Sequence, residues 1–308
     1  MGSDQPTNVA LSVRQRLLNQ ARRQGEDYQV LLTRYVLERF LYRLSLSGYE
    51  DRFVVKGAML FLLWEGTFHR TTRDLDLLAY GSNEIAALET YVRELCTITP
   101  PREDGVVFRP ETVRGARIRE DRIYEGVRLT LEARLGSARL PLQIDVGFGD
   151  AVVPAPHKEA FPVLLDFPAP TLSVYPKETV IAEKFQAMVE LGIANSRMKD
   201  FYDLWYISRH YAIEGPLLVE ALQATFERRS TPMLYERPLA LTDAFADDPA
   251  KQQQWNAFIR RGGLNTEAVT LREVIDILNG FLWPPASAAG TSASFEATWQ
   301  PAGPWLLR

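Results

Sequence analysis

Asp74 and Asp76 stand one residue apart in the run Asp74-Leu75-Asp76-Leu77-Leu78, and a lone Asp145 interrupts the apolar run Leu142-Gln143-Ile144-Asp145-Val146. In a strand, alternate side chains share a face, so Asp74 and Asp76 point one way while Leu75 and Leu77 point into a core. Asp145 alternates in the same manner against its apolar neighbours. If the two strands match their polar faces, three carboxylates converge, and they repel one another unless a cation sits among them. Ligands that are all oxygen point to Mg²⁺, with Mn²⁺ possible. Two such ions about 3.5–4 Å apart would serve an attacking and a leaving oxygen. No other metal chemistry competes. Cys96 is the single cysteine, and His69, His157 and His210 are scattered without ligand spacing.

A second constellation lies further along. In the helical pattern Thr179–Gly192 the apolar stripe is Val180, Ile181, Phe185 and Met188, and Lys184 falls on that same face. A lysine there either points into a cleft or snorkels its ammonium to the surface, because burying it alone is costly. Asp200 and Asp203 are three apart on the next helical pattern and share its face with Leu204 and Ile207. A helix N-terminus stabilises negative charge, which accounts for Asp200 better than for Asp203. Arg197 is either a phosphate ligand or a solvated helix-start residue.

The elements that must position these residues read as follows. Asn8 to Leu46 forms two helices, the first capped by Ser12 and ended by Gly25, and their arginines read as an exposed face. Phe53–Val55 is a short strand, and Lys56-Gly57-Ala58 turns into an apolar helix ending at Trp64. The loop Glu65–Arg73 leads into the strand Asp74–Tyr80, and a helix spans Asn83 to Cys96. Pro100 to Gly115 reads as turns. Ile123–Leu135 and Leu140–Phe148 read as long strands joined by a hairpin at Gly136-Ser137-Ala138. After the Pro-rich stretch Val153–Pro170 the pattern is helical, and Pro284 to Arg308 has no periodicity.

In order along the chain, Lys56-Gly57-Ala58, Arg70-Thr71-Thr72-Arg73-Asp74-Leu75-Asp76, Ile144-Asp145 and Lys199-Asp200-Phe201-Tyr202-Asp203 resemble the DNA polymerase β nucleotidyltransferase superfamily. Within it they resemble the AbiEii/AbiGii-type toxins, which include the MenT toxins. The resemblance runs from about Ser12 to Ile207. It implies a magnesium-dependent transfer of a nucleoside monophosphate from an NTP to an acceptor hydroxyl, with tRNA as the acceptor and an antitoxin protein as partner. It makes Asp74, Asp76 and Asp145 the metal ligands and adds Lys184 and Asp203 to the catalytic set. Lys56, Gly57, Ala58, Arg73 and Lys184 become the nucleotide-binding residues. Ala58 replaces the small Gly or Ser that often follows the turn glycine, so no side-chain hydroxyl is offered there.

The expected fold is α+β. A small mixed β-sheet nucleotidyltransferase core with flanking helices and an N-terminal helical arm (1–150) precedes a C-terminal helical domain closing the cleft (151–283) and a flexible tail (284–308). The formal net charge of −4 argues against coating nucleic acid by bulk electrostatics. No signal-like opening and no run near the ~20 apolar residues of a membrane span is present, so a cytoplasmic protein is expected. Three rival readings stand beside this one. They are an aminoglycoside-type adenylyltransferase, a catalytically silent nucleotide- or RNA-binding protein of the same fold, and a DNA-binding regulator using the first two helices.

Overall fold

The computed structural model describes residues 8–66, 74–119, 125–262, 264 and 269–307. The chain divides into two compact units, Met1–Gly149 with His157–Val174, and Asp150–Pro156 with Tyr175–Arg308. It is a mixed α/β protein, as the sequence predicts.

The first unit contains α1 (Val9–Gln24), α2 (Tyr28–Ser45), β1 (Phe53–Lys56), α3 (Met59–Glu65), β2 (Asp74–Ala79), α4 (Ile85–Thr97), β3 (Val106–Arg119), β4 (Glu125–Leu135), β5 (Ala138–Phe148), β6 (His157–Ala160) and β7 (Thr171–Val174). Among the described residues these strands form a seven-stranded sheet in the order β3-β4-β5-β2-β1-β7-β6. β5 and β2 are parallel, as are β1 and β7, and the other neighbours are antiparallel. The cap of α1 is Asn8, whose side chain accepts from the Leu11 N–H, rather than Ser12. An Asn one residue ahead of the first helical position reaches an orphan N–H, whereas Ser12 already lies inside the helix.

Two stretches read as irregular from sequence are strands. β3 occupies most of Pro100–Gly115 and buries Val106, Phe108 and Val113. Its alternation is hidden because the pairing with β4 shifts between Arg109 and Arg114, around Pro110, which has no N–H to give a ladder. β6 lies in the Pro-rich stretch and β7 follows directly after it. β7 reaches the sheet by pairing Val174 with Val55.

The arginine-rich arm is not simply an exposed face. Arg22 and Arg23 are exposed, but Arg34, Arg39 and Arg43 of α2 are buried. Arg39 is paired with Glu38 at 2.6 Å, and the other Glu38 oxygen accepts from the Leu164 N–H. Arg43 grips Asp104 through both nitrogens, at 2.5 and 3.0 Å, and also donates to the Val106 carbonyl. α2 is therefore a core helix whose charges are consumed inside.

The second unit contains α5 (Lys177–Leu191), α6 (Met198–His210), β8 (Ile213–Glu214), α7 (Gly215–Arg228), α8 (Asp243–Ala246), α9 (Pro249–Gly262), α10 (Leu271–Thr291), β9 (Ala297–Trp299) and β10 (Trp305–Leu307), with a small sheet in the order β10-β9-β8. Residues 284–307 are thus not a flexible tail. α10 continues through Pro284 and Pro285, buries Ala286, Ala288 and Ala289, and β9 then packs Trp299 against Phe281 with ring centroids 4.9 Å apart. A proline inside a helix deprives the carbonyl four residues earlier of its donor. The Phe281 carbonyl, left so by Pro285, accepts instead from the Trp305 indole N–H at 3.1 Å. Prolines and alanines mask this helix in the sequence, and the replacement donor lies twenty-four residues away.

The Arg43–Asp104 pair gives the fold its sharpest stability test. Asp104→Ala leaves a buried guanidinium without its counter-charge, and the expected loss is ~3–5 kcal/mol in urea unfolding. The double variant Arg43→Met/Asp104→Leu recovers most of that loss. A single-variant loss under ~1 kcal/mol contradicts the assignment.

Candidate active site

Four strands of the first unit bring their polar faces into one line. In the sheet, Lys56 of β1 stands opposite Asp76 of β2, Asp76 opposite Asp145 of β5, and Asp145 opposite Arg128 of β4. The charge sequence across the row is plus, minus, minus, plus. Neighbouring strands are about 5 Å apart, so two carboxylates face each other at close range between two cations. One step along the strands, Asp74 stands opposite Gln143. Leu75 and Ile144 pair on the other face, where both are buried. Alternation places the acids, and the apolar face holds the register.

The turn after β1 presses on the same row. Gly57 has φ +72°, and a Cβ there would stand 2.8 Å from the Asp76 Cβ and closer still to its carboxylate. Only glycine combines that backbone conformation with that approach. Ala58 then caps α3 with no side-chain hydrogen bond and is itself buried. Lys56 is 7% exposed and is thus withdrawn from bulk solvent.

Asp145 is gripped by Arg128. Nε donates to Oδ1 and a terminal nitrogen to Oδ2, both at 2.8 Å, while the Gln143 amide donates to Oδ2 at 3.3 Å. The hydrogen bond to Asp145 holds the Arg128 guanidinium charged against the opposing effect of burial, and the fields of Asp145, Asp74 and Asp76 add to it. One arginine therefore lies in the field of all three acids. Among the described residues no three carboxylate, imidazole or thiol groups are already gathered closely enough to hold a metal. The donor set itself suits a hard cation, being carboxylate oxygens only, and both Asp145 oxygens are occupied by Arg128.

The second unit carries the other predicted pair. Lys184 of α5 places its Nζ 2.8 Å from Asp200 Oδ1 and 2.8 Å from Asp203 Oδ2 of α6. Both acids are fully buried, and Arg197 adds Nε at 2.7 Å from the second Asp200 oxygen. Lys184 thus neither snorkels nor stands alone. The start of α6 is itself pinned: Asn195 accepts from the Arg197 N–H at 2.8 Å, and the buried Lys251 donates to the Asn195 carbonyl at 2.9 Å.

Of the sequence-predicted residues, Lys56, Gly57, Ala58, Asp74, Asp76 and Asp145 come together in the first unit. Lys184 and Asp203 come together in the second. Arg73 lies outside the described residues. Arg128 and Lys251 were not singled out in the sequence. Arg128 is one of two arginines in an alternating strand, and only the register with Asp145 distinguishes it. Lys251 joins a turn 56 residues away.

The sheet unit thus carries paired acids behind a glycine turn, and the helical unit carries a lysine paired with two buried aspartates. The sequence matches the family model described as "Nucleotidyl transferase AbiEii toxin, Type IV TA system" over residues 39–283. The chain belongs to that family and is a nucleotidyltransferase. Comparison with curated proteins finds no match. Two solved Helicobacter pylori structures are similar, that of JHP933 and that of a candidate nucleotidyltransferase. Each is 14% identical with a TM-score of 0.47 and covers 86% of this chain, which spans 92% and 95% of theirs respectively.

The buried cluster sets a pH dependence. Burial pushes the Asp200 carboxyl up, but Lys184 and Arg197 together outweigh it and hold it below its ordinary value. The unfolded chain then binds more protons in acid, so this stabilisation is complete above about pH 4 and is lost as pH falls further. Asp200→Asn is expected to lower the melting temperature at pH 7 and to flatten its decline between pH 5 and 3. Parallel wild-type and variant curves over that range contradict the assignment.

Proposed function

We propose that the protein transfers a nucleoside monophosphate from an NTP to the 3′ end of a tRNA, in a Mg²⁺-dependent reaction that releases pyrophosphate. The observation that carries the chemistry is the in-register pairing of Asp76 with Asp145, with Asp74 two residues away on the same face. These three carboxylates are the proposed metal ligands. A bound divalent cation, Mg²⁺ or Mn²⁺, supplies charge neutralisation for the attacking and leaving oxygens.

The chain's own residues do the rest. Asp145 orients the acceptor hydroxyl and draws its proton. Lys56 and the turn at Gly57 and Ala58 receive phosphate oxygens, with Arg73 assigned to the same task by the family resemblance. Lys184 is proposed as a phosphate ligand and Asp203 as an acceptor-side group. Their mutual contact at 2.8 Å orients both side chains, with Asp203 fully buried. Positioning accounts for most of the rate.

An RNA acceptor is supported by α1. Arg22 and Arg23 are exposed there, and with Asn19 and Gln20 they line a recess of about 710 Å³ in which Arg16 is already paired with Asp166. Such arginines suit phosphates on a shaped RNA, with affinity falling steeply as salt rises. No helix among the described residues is long and apolar enough to cross a membrane. The cytoplasm holds both substrates and is the proposed place of action. As the toxin of a type IV system, the enzyme is expected to halt growth unless a cognate antitoxin protein opposes it.

The test is to incubate the protein with purified tRNA, Mg²⁺ and each labelled NTP in turn, and to map label by 3′-end sequencing. Label is expected at the tRNA 3′ end. Asp76→Ala should reduce it by at least ~1,000-fold, or about 4 kcal/mol, with an unchanged melting curve. Retained transfer in that variant overturns the metal assignment. Label on an aminoglycoside but never on tRNA overturns the acceptor.

A further inference from the structure

We propose that Arg128 is a resident counterion that a divalent cation must displace from Asp145 before the carboxylates can serve as its ligands. The inference rests on the metal reading above and adds a competitor to it.

The geometry of the pair is the first argument. Arg128 and Asp145 are direct cross-strand partners joined by two parallel N–H···O bonds of 2.8 Å. This fork uses the directions in which Asp145 would offer lone pairs to a metal. With Gln143 donating to Oδ2 as well, both oxygens already hold hydrogen bonds. Asp74 and Asp76 add their attraction for the same guanidinium. Arg128, with Lys56 on the opposite flank of the row, thus offsets repulsion among three acids, which is also what a metal ion would do.

The contrast with Arg43 shows that the Arg128 contact is built to open. Arg43 and Asp104 are 3% and 2% exposed, so both charges are sealed in and neither can leave without stranding the other. Arg128 is 41% exposed while Asp145 is only 12% exposed. The acid is held by its strand, and the guanidinium lies on the solvent side, where it can swing into water at small cost. Asp145 left behind would then be a buried anion, which an incoming cation compensates. Exchange of one cation for another follows, with the carboxylate charged throughout. The arrangement also keeps the three acids from scavenging weakly bound cations when no substrate is present.

The experiment is a Mn²⁺ titration of the full chain without nucleotide, read by the electron paramagnetic resonance of free Mn²⁺. Wild type, Arg128→Gln, Arg128→Lys and Asp145→Asn are compared. Arg128→Gln is expected to bind Mn²⁺ at least ~5-fold more tightly than wild type, and Arg128→Lys by an intermediate factor. Asp145→Asn should bind more weakly. In metal-free buffer Arg128→Gln should melt earlier than wild type, and saturating Mn²⁺ should raise its melting temperature by the larger amount. A merely structural arginine would loosen the site and weaken Mn²⁺ binding. Equal or weaker binding by Arg128→Gln, with wild-type binding intact and abolished by Asp145→Asn, overturns the counterion and leaves the metal reading standing. Absence of Mn²⁺ binding in wild type and in both Arg128 variants overturns the metal reading, and this inference with it. If Arg128→Gln does not fold, the Arg128→Lys comparison decides by the same signs.

Discussion

Parallel pairing of β2 with β5, in the register that sets Asp76 opposite Asp145, is the constraint from which the site follows. A slip of one residue would turn one strand's acids to the other face and oppose them to leucine and isoleucine. The register is held by the buried side: Leu75 against Ile144 and Leu77 against Val146. Apolar packing, which is not part of the chemistry, therefore decides whether the carboxylates meet. Gly57 tightens the same point from β1, since any larger residue in that turn would meet the Asp76 side chain.

Charge placement follows from that register. A sheet that sets two acids side by side needs positive charge nearby, and the row supplies Lys56 on one flank and Arg128 on the other. The arginines of this chain consequently have different fates. Arg39 and Arg43 are spent inside the first unit, Arg39 on its helix neighbour Glu38 and Arg43 joining α2 to the Asp104 turn. Arg128 remains half in water, beside acids that have further work. In the second unit Lys184 plays the enclosed role between Asp200 and Asp203, and its helix start is fixed by Asn195 and Lys251.

Much of this was legible in the residues. Asp-x-Asp on an alternating run, a lone acid in an apolar run and a glycine turn into a helix are local patterns, and strand period alone predicts their faces. Lys184 was legible because it sat on an apolar helical stripe, and Asp203 because a helix N-terminus did not account for it. What escaped depends on pairing at a distance. The strand β3 was hidden by a register shift around Pro110, and α10 by prolines whose orphaned carbonyl is served by Trp305. Arg128 has no local mark and becomes distinct only once β4 is laid against β5. The buried half of the arginine arm was misread because charge in a sequence does not reveal partners such as Asp104, 61 positions away.

The central claim is that the β2–β5 register makes one cation-binding face. The most direct measurement is anomalous diffraction at the manganese edge, from crystals grown with Mn²⁺ and a non-hydrolysable NTP analogue. The account predicts an anomalous peak within ligand distance, about 2.0–2.3 Å, of Asp76 and Asp145 carboxylate oxygens, with Arg128 turned away from Asp145. Mn²⁺ and nucleotide bound elsewhere, with the Arg128–Asp145 fork still closed, would contradict it.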